Sequence, residues 1–252
     1  MNIEIIPAMD LIDGACVRLA QGDYDRRTTY GRDPLDTALR FEAAGLRRLH
    51  MVDLDGARTQ RPANLKVLER IAARIDIPFT VGGGIASVDD AGRLLDAGAD
   101  KITVNSAAVA DPSLIDAVAA KYGSQFVTVA IDARRIDGRW RVTTHGGRRL
   151  TDRELFAWAE EACRRGAGEI LFTSMDHDGT RNGYPCDTFA HLSFLPVPVI
   201  ASGGAGSVQH IADVLTLGRA DAALAASIFH YGEIPIPVLK RELRARNIPV
   251  RL

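Results

Sequence analysis

Short apolar runs alternate with longer amphipathic stretches eight times along this 252-residue chain. The runs lie at 3–8, 48–52, 79–81, 101–104, 126–131, 169–173, 197–201 and 222–225, and they are continuously apolar rather than alternating. Strands of that kind are covered on both faces, as in a parallel sheet under helices. Between them, 34–44, 65–74, 88–97, 112–122, 152–165 and 208–217 carry apolar residues at helical spacing, and 237–246 does so after the last run. Eight strand–helix units in a chain of this length predict an α/β protein, a single (β/α)8 barrel of the TIM type. A doubly wound open sheet is the rival architecture.

An internal repeat favours the closed form. Ala8-Met9-Asp10 returns as Ala130-Ile131-Asp132, and Asp53-Leu54-Asp55-Gly56 returns as Asp176-His177-Asp178-Gly179. Pro78 and its following glycines return as Pro198 and Ser202-Gly203-Gly204, and Ala99 through Ser106 returns as Ala220 through Ser227. The spacing stays between 120 and 123 residues, so the chain reads as two homologous half-barrels, about 1–122 and 123–252, in one domain.

Active sites of such barrels sit at the C-terminal ends of the strands. Asp10 ends the first strand and Asp132 the fifth, on opposite walls of the mouth. Two carboxylates so placed can act as general acid and general base on one substrate. A single aspartate after a strand is more simply a turn residue or cap; the symmetric pair favours catalysis. Gly83 and Gly84 after the third strand, and Gly203 and Gly204 after the seventh, leave backbone amides open to a ligand. One strand later stand Asn105 and Ser106, and Ala226 and Ser227. Amides beside a small hydroxyl form an anion site, and the position after strands 7 and 8 is a recurrent phosphate position in this fold. Two such grips predict an elongated bisphosphate spanning the mouth, its centre held between Asp10 and Asp132. His50 faces either the barrel wall or the ligand, while His177 and Tyr184 belong to the loop after the sixth strand.

Composition adds exclusions. The net charge of −1 provides no field for nucleic acid or an anionic membrane, so neither is expected as a partner. Apolar residues make up 46%, enough for a sizeable core. The three cysteines form neither a disulfide framework nor a zinc set, which predicts a reducing cytoplasmic setting with no metal and no cofactor. No apolar run approaches a membrane span, and the first residues carry no targeting signal.

The segments IIPAMDLIDGACVRLAQGDY and RRLHMVDLDGA resemble the phosphoribosylformimino-AICAR ribotide isomerases. From DIPFTVGGGI onward, through GADKITVNSAAV, VAIDARR, RGAGEILFTSMDHDGTRNGY, PVIASGGAG and ADAALAASIFH, the chain resembles the cyclase subunits of imidazole glycerol phosphate synthase. Both are paralogous barrels of histidine biosynthesis, and the mixture suggests a chimera switching near 74–77. The resemblance implies catalysis by Asp10 and Asp132, and substrate binding by Arg18, His50, Asp53, Thr173 and Asp178. Arg18 stands where the cyclase has a functional lysine in a mobile first loop; arginine keeps the charge but does not donate a proton near neutrality. Ala86 stands where the isomerase usually has arginine.

The resemblance also implies a glutaminase partner at the opposite face. The cyclase closes that end with a ring of arginine, glutamate, lysine and glutamate, and the matching residues here are Glu4, Arg48, Lys101 and Glu169. Two positions exchange sign, which alters the surface offered to a partner. Ordinary solvated strand-start charges are the alternative. The implied reaction is ring closure with ammonia; the alternatives are the isomerase's Amadori rearrangement and a barrel that binds phosphate without turnover.

Overall fold

Every predicted apolar run forms a strand. The structure, a computed structural model, describes residues 3–20, 23–59 and 63–251. In chain order, β1 (Glu4–Ile12) leads into an antiparallel pair, β2 (Ala15–Ala20) and β3 (Asp23–Gly31), then α1 (Pro34–Ala43) and β4 (Leu49–Asp53). Next come α2 (Leu54–Thr59), α3 (Leu65–Ala72), β5 (Phe79–Gly82), α4 (Val88–Asp96), β6 (Lys101–Val104), α5 (Ser106–Ala110) and α6 (Ser113–Tyr122). The second half begins with β7 (Val127–Ile136) and a second antiparallel pair, β8 (Arg139–Thr144) and β9 (Arg149–Glu154). It continues through α7 (Leu155–Arg164), β10 (Glu169–Ser174), α8 (Cys186–Leu192), β11 (Val199–Ser202), α9 (Val208–Thr216), β12 (Ala222–Ala225), α10 (Ser227–His230) and α11 (Ile236–Ala245).

Strands β1, β4, β5, β6, β7, β10, β11 and β12 pair in parallel in that order, and β12 pairs back to β1. The chain is therefore a closed (β/α)8 barrel rather than an open sheet. Helix faces such as Leu68 and Ile71 of α3, or Ile211 and Val214 of α9, are fully buried against the strands. Each such side chain stabilises the fold by about 1.5–3 kcal/mol. Inside the barrel a smaller cluster, including Ile6, Ala8, Ala130, Leu171, Ile200 and Leu224, fills the space between the two ends.

The two halves share their local devices. Asp100 accepts from the Phe79 amide and Asp221 from the Val199 amide, both at 2.8 Å. Ser87 and Ser207 cap α4 and α9, accepting from Asp90 and His210 at 3.0 and 3.1 Å, and each cap contributes roughly 1 kcal/mol.

Three features depart from the expectation. First, β1 and β7 run past the barrel into hairpin arms built with β2–β3 and β8–β9. The turns are Asp13-Gly14, with φ of 51° and 73°, and Asp137-Gly138, with φ of 49° and 78°. Both central residues in the left-handed region match the two-residue turn that suits strand twist, a signal present in the two Asp-Gly dipeptides. Second, α7 begins at Leu155, not 152, because 149–154 pairs as β9. Third, the short α8 lies between β10 and β11, where no helix was expected. Among the described residues no helix is long and apolar enough to cross a membrane.

Candidate active site

The two arms fix the position of the paired aspartates. Asp10 sits where β1 leaves the barrel, opposite Val52 of β4 on one side and Val17 of β2 on the other. Asp132 sits at the equivalent point of β7, opposite Thr173 of β10 and Thr143 of β8. Both line a pocket of about 380 Å³ at the mouth.

Arg18, on β2, turns inward over this pocket. It donates to Asp10 at 3.2 Å, to Asp178 at 2.6 Å and to the Ser227 hydroxyl at 3.2 Å. Burial pushes the Asp10 carboxyl up, with the Asp178 charge adding to the rise and Arg18 opposing it. Among the described residues the donors to Asp132 are neutral: Asn105 Nδ2 at 2.9 Å and the Thr173 hydroxyl. Burial, reinforced by the Asp178 charge, pushes it up to about 6 despite those two bonds. Its proton is thus held in the range where a group can both take and give one. His50, buried in β4, is pushed down to about 3 by burial and by nearby Arg48, so its imidazole is neutral.

The glycines have a steric reason of their own. Gly83 has φ of 109°, and a Cβ there would lie 2.2 Å from the Asp53 carbonyl. Gly203 has φ of 85°, and its Cβ would lie 2.5 Å from the Ser174 carbonyl. The same close approach of one strand end to its neighbour's loop occurs in both halves.

The pocket brings together Arg18, His50, Gly83, Gly84, Asn105, Ser106, Thr173, Asp178, Gly203, Gly204, Ala226 and Ser227 around the two aspartates. Asp53 is the exception. Its carboxylate accepts from the Gly56 and Asn64 amides, both at 2.9 Å, and it does not line the pocket. It is buried and ties down the loop after β4, satisfying two backbone amides there. Asn105 also differs from the plain phosphate reading, since its amide nitrogen serves Asp132 and its Oδ1 is buried without a hydrogen-bond partner.

Sequence reasoning missed His145, Gly146 and Arg181, which complete the rim. The His145 amide, on the turn between β8 and β9, donates to the Ser106 hydroxyl at 2.9 Å. That contact mirrors Arg18 on Ser227: each arm engages the serine of the strand beside it. The His145-Gly146-Gly147 turn was a readable hairpin signal once the second arm was recognised. His177 holds the Ser174 hydroxyl at 2.7 Å, and Tyr184 is buried with its hydroxyl on the Leu224 carbonyl at 3.3 Å; neither lines the pocket.

At the opposite end the four charges form a connected cluster, not separate solvated ends. Arg48 grips Glu169 with two bonds of 2.9 and 2.6 Å, Lys101 reaches Glu169 at 2.9 Å, and Glu4 lies 3.6 Å from Arg48. Thr128 donates to Glu169 at 2.9 Å and Arg48 donates to Thr80 at 3.2 Å. Burial raises the Glu169 carboxyl, but its bonds and charges from Arg48 and Lys101 outweigh that and hold it below the usual range.

A closed (β/α)8 barrel with opposed carboxylates in a mouth pocket defines a class of enzyme scaffold. The chain belongs to the histidine biosynthesis protein family, whose model matches residues 4–235. It is 48% identical over 248 residues to the imidazole glycerol phosphate synthase subunit HisF of Bacteroides fragilis, covering 98% of each chain. The subunits of the same name from Flavobacterium johnsoniae and Geobacillus thermodenitrificans are each 48% identical over 249 and 250 residues, again at 98% coverage of both chains. These alignments run through the first quarter as well as the rest, and they give no support to a change of ancestry near 74–77.

Proposed function

We propose that this chain is a cyclase subunit of the imidazole glycerol phosphate synthase type, closing an imidazole ring with ammonia on phosphoribulosylformimino-AICAR phosphate. The observation that carries this reading is the 48% identity to the HisF subunits over 98% of the chain. The pocket chemistry supports it. The substrate's phosphates sit at the Gly83-Gly84 and Ser106 end and at the Gly203-Gly204 and Ser227 end. Holding both ends places the reacting carbons between Asp10 and Asp132, so positioning supplies much of the rate. Asp132 takes a proton from the attacking nitrogen as the new C–N bond forms and returns one to the departing AICAR ribotide. Asp10, bridged by Arg18, holds negative charge on the opposite wall. Thr173, the Asp178 carboxylate and His50, whose imidazole is neutral, contact the substrate's centre, and Asn105 Oδ1 offers an acceptor beside Asp132.

The relatives are named as subunits. A glutaminase docking on the face that carries Glu4, Arg48, Lys101 and Glu169 is the corresponding partner for this chain. Three free cysteines suit a reducing cytosol.

Purified protein given the ribulosyl substrate with an ammonium salt is expected to consume it with loss of substrate absorbance. No loss above background, with inorganic phosphate still bound, would leave a binding-only barrel. Turnover of the aldose precursor instead would identify an isomerase.

A further inference from the structure

Outside the residues that line the pocket, His230 joins three elements that the site needs. It ends α10, the short helix that begins with Ser227, and its Nε2 lies 2.6 Å from the carbonyl of Ala8, two residues before Asp10 on β1. A carbonyl only accepts, so Nε2 carries the proton and donates. Its ring stacks on Tyr30 of β3 at 3.7 Å between centroids and 25° between planes, with Phe41 of α1 tilted against it at 5.2 Å. His230 is buried, and its Nδ1 has no hydrogen-bond partner. A ring that leaves one nitrogen bare in the interior is held there by its stack and its single bond.

On the pocket side the same three elements are joined again. Arg18 of the first arm bonds Asp10 of β1 and Ser227 of α10. Tyr30 lies on the strand that pairs with β2, where Arg18 faces Thr28 across the ladder. The arm is thus pinned at two points, by Arg18 and by the Tyr30–His230 stack. Among the described strands β3 pairs with β2 alone, so the barrel strands do not themselves hold the outer strand of the arm.

We propose that Tyr30 and His230 are positioning residues for the reaction: their stack, anchored on the Ala8 carbonyl, sets the first arm so that Arg18 reaches Asp10 and Ser227 together. This rests on the cyclase reading for its kinetic consequence but not for its structural one. The stack acts through Arg18, so removing it costs activity only where Arg18 is present.

The test is a double-mutant cycle. Tyr30→Leu and His230→Gln are each expected to lower kcat/KM about tenfold in the wild-type background and to have little further effect in Arg18→Ala, as coupled residues do. Tyr30→Phe, which keeps the stack, is expected to stay near wild type. Equal losses in both backgrounds would overturn the proposal, because they would indicate general destabilisation. A second readout needs no turnover: in the ligand-free protein, amide exchange across 15–31 is expected to quicken in Tyr30→Leu and not in Tyr30→Phe. Unchanged exchange in Tyr30→Leu would equally overturn it. If the wild type shows no cyclase turnover while the exchange result holds, the cyclase reading fails and the positioning inference stands.

Discussion

Arg18 holds the Asp178 carboxylate at 2.6 Å, joining the first arm to the loop after β10 across the mouth of the barrel. The same guanidinium reaches Asp10, so one cation stands between two carboxylates that would otherwise repel. Its planar fork suits three simultaneous acceptors, which a lysine ammonium on a flexible stem reproduces only in part. Arg18→Ala is expected to lower kcat/KM on the order of 10²-fold, and Arg18→Lys to retain more activity than Arg18→Ala, because a pre-placed charge is worth several kcal/mol at such a site. Steady-state kinetics of the two variants with substrate and ammonium salt check this. Equal rates in wild type and Arg18→Ala would remove Arg18 from the mechanism.

The paired carboxylates give a prediction about both rate and stability. Asp10→Asn and Asp132→Asn are each expected to lower turnover by roughly 10²-fold or more, the usual worth of a pre-placed charge for Asp10 and of a general acid–base group for Asp132. Asp132 is also a stability liability, since burial raises its folded pKa to about 6. Between the unfolded value near 4 and this folded value, the native state binds the extra proton, so this contribution to stability falls as pH rises through that window. Asp132→Asn removes the penalty and is expected to raise stability at pH 7 by on the order of 1–3 kcal/mol, read by urea denaturation. An inactive variant that is markedly less stable would point to a structural role instead.

The barrel was readable because its signals are local and repeated. Apolar runs mark strands, amphipathic stretches mark helices, and the half-chain repeat predicts closure. The placement of Asp10 and Asp132 at strand ends facing the mouth pocket was visible for the same reason. The arms were less visible, although Asp13-Gly14 and Asp137-Gly138 announce their turns, because Arg27, Arg139, Arg149 and other exposed polar residues give those strands no apolar run. The purpose of Asp53 was not legible at all. Its type and position match a ligand contact as well as a loop tie, and only the Gly56 and Asn64 amides distinguish them. The apparent break in ancestry shows a related limit: individual residues such as Arg18 depart from one family's habit while the whole chain aligns with that family.

A rate profile follows from the same group. With Asp132 pushed up to about 6, the carboxylate that the proposed mechanism uses to accept the ammonia proton is lost below that value. The acid limb of log kcat/KM is expected to bend near pH 6 when the concentration of free ammonia, rather than total ammonium, is held constant. In Asn105→Ala, loss of the amide donor that favours the charged form is expected to move that bend upward. A wild-type profile flat from pH 5 to 8 at constant ammonia would contradict Asp132 as the proton acceptor.

At the far end of the barrel, Glu169 is the hub: it accepts from Arg48 twice, from Lys101 and from Thr128. Removing it strands the buried Arg48 guanidinium and the Lys101 ammonium beside each other, leaving Arg48 the Thr80 hydroxyl at 3.2 Å and, among the described residues, the Glu4 carboxylate at 3.6 Å. Breaking a buried pair from one side typically costs about 3–5 kcal/mol, more than the intact pair contributes. Glu169→Ala is therefore expected to destabilise on that scale, and Arg48→Met with Glu169→Leu together to destabilise far less than Glu169→Ala alone. The pH dependence has the opposite sign to that of Asp132. Glu169 is held below its usual range, so its contribution is present above the unfolded carboxylate value and is lost as pH falls through the lower folded value. Wild type and Glu169→Ala should then converge in stability toward strongly acidic pH and diverge toward neutrality, measured by thermal melts across the range. A stability difference that grows on acidification would show that the cluster is not acting as a buried ion pair.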